Sequence, residues 1–104
     1  MNIVRGTTPT ITVNFSDIDI ADIIIAKLTI KQGNHVIITK NLSDAEIYDN
    51  NMAFTLSQND TLSLELGDIE IMLNWLTNAN IRGVSKIYRC QVLSNHIQGV
   101  LNNE

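Results

Sequence analysis

Alternating carboxylates can surround a hard cation, and Asp17, Asp19 and Asp22 are spaced in the manner of a calcium loop. The pattern fails position by position. A loop opening at Asp17 needs a ligand where Ala21 stands, a turn glycine at Asp22 and a closing bidentate glutamate at Leu28. A solvated acidic loop is the simpler account. Asp44 with Glu46, and Asp68 with Glu70, are i, i+2 pairs that share a strand face and could act as acid and base. Outward polar alternation explains them without chemistry. A structural zinc site takes four Cys or His ligands, whereas this chain has one cysteine and two histidines, so no metal is expected. His35 reads as a turn-flanking residue and His96 as part of a polar tail. Cys90 falls mid-strand on an apolar face, where a thiol behaves as a small hydrophobe. Gly6, Gly33, Gly67, Gly83 and Gly99 are isolated, so no phosphate-cradling loop is present. Sugar sites use exposed aromatic faces, yet Phe15, Phe54, Trp75 and Tyr88 are all predicted to face inward, leaving Tyr48 free. No catalytic residue and no cofactor is therefore assigned.

The elements that would carry these side chains read as short strands. Ile11, Val13 and Phe15 alternate with Thr10, Thr12 and Asn14, and Pro9 suits the entry of an edge strand. Ser16 to Asp22 reads as a loop with Ile18 and Ile20 tucked beneath it. The strand Ile23 to Gln32 is expected to turn Ile24, Ala26, Leu28 and Ile30 inward, and a Gly33-Asn34 turn returns the chain over His35 to Lys40. A second hairpin follows, with strands around Glu46 to Tyr48 and Met52 to Leu56 joined at Asp49-Asn50-Asn51. Ser57 and Asp60 have the spacing of a reciprocal cap and predict one short turn, not a helix. Asp68 to Thr77 is the candidate central strand, burying Ile69, Ile71, Leu73 and Trp75. A last strand is expected over Val84 to Leu93, with Tyr88, Cys90 and Val92 on one face.

About seven short strands with turn chemistry between them predict an all-β, antiparallel immunoglobulin-like β-sandwich, with a barrel as second choice. A chain of 104 residues fits one domain, 1–104, with residues 1–9 as an N-terminal arm and 94–104 as a C-terminal tail. The apolar content of 44% and mean hydropathy of +0.06 suit a folded core. Seven basic residues against eleven acidic ones, a net charge of −4, argue against nucleic acid as a partner. No run approaches the ~20 apolar residues of a membrane span, and Met1 to Gly6 has no apolar signal region, so no membrane partner is expected and synthesis is expected in the cytoplasm. The single cysteine leaves stability to packing.

Arg5-Gly6-Thr7-Thr8-Pro9-Thr10, Leu28-Thr29-Ile30-Lys31-Gln32 running into Gly-Asn, and Leu56-Ser57-Gln58-Asn59-Asp60-Thr61-Leu62 occur in that order and spacing. Together they resemble small structural proteins of bacteriophages and prophages of low-G+C Gram-positive bacteria, and short β-sandwich modules of baseplate proteins. The similarity runs from Arg5 to about Val92. It implies a non-catalytic virion protein of the tail, baseplate, neck or fibre attachment, made in the host cytoplasm and contacting other virion proteins as a homo-oligomer or ring component. The Met72-Leu73-Asn74-Trp75 stretch is more apolar, and Gly99 to Glu104 more polar, than that family leads one to expect. Sheet edges and termini are the expected contacts: Ile3, Val4, Arg5, Thr7 and Thr8 for strand addition, with Ile97, Val100 and Leu101 in the tail. The alternative is a receptor- or glycan-binding β-sandwich module using Tyr48 and the acidic loop. A small hydrolase or regulator would need clustered titratable groups.

Overall fold

Period-2 alternation dictates most of the architecture seen in the computed structural model, which describes residues 2–102. In β2 (Thr10–Asn14) Ile11 and Val13 are buried while Thr10, Thr12 and Asn14 are exposed. In β3 (Ile23–Gln32) Ala26, Leu28 and Ile30 point to the core, and the turn at Gly33 takes φ +62°, which costs glycine nothing. The chain returns as β4 (His35–Asn41), with Gln32 opposite His35. The second hairpin joins β5 (Ala45–Tyr48) to β6 (Asn51–Thr55) through Asp49 and Asn50, both at positive φ, the signature of a tight two-residue turn. Met52, Phe54 and Leu56 are fully buried.

The sheets stack as a sandwich. The larger has the order β1–β9–β7–β3–β4 and the smaller β2–β6–β5. Here β1 is Ile3–Val4, β7 is Gly67–Thr77 and β9 is Tyr88–Leu93, with β8 (Arg82–Val84) also on β7. All pairings are antiparallel except β1 with β9. As expected, β7 is central, and Ile69, Ile71 and Leu73 face Met52, Phe54 and Leu56 within one apolar core. The edge position of β2 suits Pro9.

Four expectations need correction. Ile24 is 55% exposed and Ile23 is buried, because a bulge between Ile23 and Ile25 removes one residue from the alternation. Residues 2–9 do not stand off as an arm: Ile3 and Val4 pair with Val92 and Leu93, and Ile3 lies in the core at 1% exposure. Residues 1, 103 and 104 of the expected arm and tail lie outside the described residues. The expected last strand is broken at Ser85–Ile87 into β8 and β9, which occupy successive stretches of one edge of β7. Ser85 holds the break, bonding the Leu73 carbonyl through its N–H and accepting from the Leu73 N–H on its Oγ. Finally, Ser57–Asp60 opens a five-residue helix, α1 (Gln58–Leu62), with both halves of the reciprocal cap formed.

Helix α1 closes one end of the sandwich onto the N-terminal segment. Thr61, fully buried, accepts from the Gly6 N–H and donates to the Thr7 carbonyl at 2.8 Å. Arg5 donates through Nη2 to the Leu62 carbonyl at 2.8 Å, while its Nε is buried without a partner among the described residues. The tail returns over the same helix, where the Gln58 amide bonds both backbone groups of Leu101.

Candidate functional site

The acids singled out by spacing are placed as structural groups. Asp19 accepts from the Ala21 N–H and caps a 3-10 turn over Ile20–Asp22. Asp44 accepts from the Asn41 N–H at 2.8 Å. Asp68 accepts from Gln91, and Glu70 lies 3.5 Å from Arg89. Among the described residues no three His, Cys, Asp or Glu side chains come together to hold a metal ion. Cys90 sits half-buried on the inner face of β9, where burial pushes its thiol pKa up. It lines two surface depressions, of about 510 and 260 Å³, and neither contains a histidine. The smaller lies between the edges of β2 and β9, because the three-stranded sheet stops short of covering β9. Tyr88 is therefore 48% exposed despite its inward register opposite Ile71, and Trp75 is half-buried, so two of the four aromatics expected inward are not fully covered. Tyr48, at 46%, is exposed as expected.

Of the residues expected to meet partners, Ile3 is consumed by the core, and Val4 and Arg5 are half-buried. Thr7, Thr8, Ile97, Val100 and Leu101 are exposed. No helix among the described residues is long and apolar enough to cross a membrane.

The surface with the most distinctive composition is the outer face of the larger sheet, which sequence reading passed over. Register fixes its rows: Ile25–Leu76–Arg82, then Asn41–Lys27–Asn74–Val84, then Thr39–Thr29–Met72, then Val36–Lys31–Glu70–Arg89. Ile25, Val36 and Val84 are 47 to 57% exposed, and Ile87 stands beside them at 44%. Thr29, Lys31, Val36, Glu70, Met72 and Ile87 enclose a shallow depression of about 160 Å³. Apolar side chains are ringed here by long cationic ones, whose stems add further apolar area. The signal was present in the sequence, since the residues alternating with the core of β3 and β7 include Ile25, Met72 and Leu76 where a solvated face would be polar throughout.

The adjoining end of the sandwich has the opposite charge. Asn50 donates to the carbonyls of Phe15 and Ile18, and its Oδ1 accepts from the Ile20 N–H. The Asn78 N–H bonds the Asp22 carbonyl at 2.8 Å. These bonds gather loop 16–22, the turn at Asp49 and the turn at Asn78–Asn80 into one surface. It carries Asp17, Asp19, Asp22 and Asp49, with Ile24 and Ile81 exposed at 55% and 63%.

No protein-family model matches the sequence, and no curated protein matches it. Among solved structures, the immunoglobulin-like domain of mouse leukocyte-associated immunoglobulin-like receptor 1, seen as a strand-swapped dimer, is similar with a TM-score of 0.51 and 14% identity, covering 89% of this chain and 86% of that one. The V domain of amphioxus IgVJ-C2 is similar over 88% of this chain and 98% of that one, at 12% identity and a TM-score of 0.36. With two stacked sheets and this strand order, the first likeness identifies the fold: an all-β immunoglobulin-like sandwich.

Proposed function

We propose that this domain is a non-catalytic protein-contact module, and that it serves as a structural component of a phage or prophage virion, at the tail, baseplate, neck or fibre attachment. The observation that carries the contact role is the outer sheet face, where Ile25, Val36 and Val84 stand exposed among Lys27, Lys31, Arg82 and Arg89. An apolar patch of this kind, rimmed by charge, is what protein interfaces use. Support for the virion comes from the ordered sequence elements between Arg5 and Val92 that resemble phage structural proteins. The non-catalytic assignment draws support from a Cys90 thiol held toward its neutral form and from carboxylates engaged in caps and surface pairs. In this reading the partners are other virion proteins, with neither nucleic acid nor membrane involved, and the chain is made in the host cytoplasm before assembly.

Mass spectrometry of gradient-purified particles from an induced lysogen that encodes the chain tests the virion role. The protein is expected at a stoichiometry comparable with other tail components. Its consistent absence from infectious particles rejects the role.

A further inference from the structure

The charges of this domain are segregated. Of its seven basic residues, Arg5 is bonded to a backbone carbonyl and Lys40 lies 2.7 Å from Asp60. The other five, Lys27, Lys31, Arg82, Arg89 and Lys86, lie on the outer face of the larger sheet or in the link beside it. Among the described residues, only Glu70 and Asp68 oppose them there. The loop end, by contrast, presents Asp17, Asp19, Asp22 and Asp49 with no lysine or arginine in residues 16–22, 49–50 or 78–81. Both surfaces also carry exposed isoleucine or valine: Ile25, Val36 and Val84 on the face, Ile24 and Ile81 on the end.

From this complementarity we infer that the outer face of the larger sheet binds the acidic loop end of a second copy of this chain. The contact joins two different surfaces, so each copy retains a free end and a free face, and association propagates into a ring or an open row and does not stop at a twofold dimer. Opposite potentials steer the approach and fix the orientation, while the apolar side chains supply the desolvated centre. The inference deepens the protein-contact reading but concerns the purified chain alone. Particle incorporation is judged separately by the mass spectrometry above, so either can fail without the other.

The test is sedimentation velocity on purified chain across a concentration series, at low and high salt. The wild-type chain is expected to self-associate at low salt and to dissociate as salt screens the charges. Lys27→Glu with Lys31→Glu reverses the face; Asp17→Lys with Asp22→Lys reverses the end, and among the described residues no hydrogen bond or ion pair engages any of these four side chains. Each pair is expected to weaken self-association by about 100-fold, because like charges are then opposed. An equimolar mixture of the two variants reassociates, since the acidic end of the first meets the unaltered face of the second. Circular dichroism checks folding, and Lys27→Gln with Lys31→Gln serves as the milder version if the reversal unfolds the chain. A wild-type chain that remains monomeric at millimolar concentration in low salt overturns the inference. So does association that survives both reversals, or a mixture that fails to recover it.

Discussion

Replacing Gly83 with alanine tests the packing around Trp75 at the border of the core. Gly83 lies opposite Trp75 across the β7–β8 pair, and the indole covers it. A methyl group built there falls well inside contact distance of Cε2, Cζ2 and Nε1 of Trp75, so the ring must retreat by roughly an ångström to reach normal contact. Phe15, which is buried, already packs against the same indole in a T-shaped pair with ring centroids 5.0 Å apart, so moving the ring disturbs a second contact. Forcing extra volume into a packed site costs about 1–3 kcal/mol. Gly83 does not have positive φ, so alanine also removes unfolded-state freedom and returns about 0.4–1 kcal/mol. The net loss of about 1–2 kcal/mol corresponds to a fall in Tm of roughly 5–15 °C for a domain of this size. Thermal unfolding followed by far-UV circular dichroism measures it, with the fluorescence of Trp75, the chain's one tryptophan, reporting the ring's displacement. In a Trp75→Leu background the penalty is expected to disappear, a coupling of about 1 kcal/mol or more. A neutral or stabilising Gly83→Ala, or an equal penalty without the indole, refutes the reasoning.

Asn50→Asp keeps a residue that tolerates the φ of +62° but removes the amide donors to the Phe15 and Ile18 carbonyls. The urea midpoint is expected to drop by the equivalent of about 1–3 kcal/mol, and an unchanged midpoint counts against the anchoring role of this side chain. For Asp60, burial opposes ionisation, but the hydrogen bond from Lys40 and those from the Ser57 N–H and hydroxyl outweigh it and hold the carboxyl below its ordinary value. The folded state then binds protons less readily than the unfolded one, so this contribution is complete above an aspartate's ordinary ~3.9 and is lost as pH falls through the lower folded value. Urea midpoints at neutral pH and at pH ~3 should differ less in Asp60→Asn than in the wild type, and equal differences contradict the assignment. Because burial raises the Cys90 pKa, iodoacetamide at neutral pH should alkylate the native thiol more slowly than the urea-unfolded one; equal rates would mean the thiol is not protected.

Side-chain alternation made β2, β3, β6 and β7 legible, because each buries one face against the opposing sheet and a shifted register would expose Ile11, Leu28, Phe54 or Leu73. The turns at Gly33-Asn34 and Asp49-Asn50 were legible for a different reason, the scarcity of residues that accept positive φ. Ile24 was misplaced because a bulge leaves no mark in an all-isoleucine run, Ile23–Ile25, whose members are interchangeable by composition. Residues 3–4 were misplaced because their pairing with residues 92–93 is decided by an edge nearly ninety positions away, which no local pattern encodes. The mixed apolar and cationic outer face was missed for a related reason. Lys27, Lys31, Arg82 and Arg89 are scattered in the chain, and only the β3–β7–β8 and β7–β9 registers gather them on one face.

The parallel pairing of β1 with β9 bears on how the domain would respond to load. Tension applied at residue 3 and residue 93 pulls the two strands in opposite directions along their shared axis, so the bonds joining them, including the Arg5 N–H to the Leu93 carbonyl at 3.0 Å, are strained together and do not open one by one. Thr61 and Asn95 add cross-links to the same short segment, at Gly6, Thr7 and Arg5. A domain stitched in this way resists stretching through these two strands more than its modest length of pairing suggests.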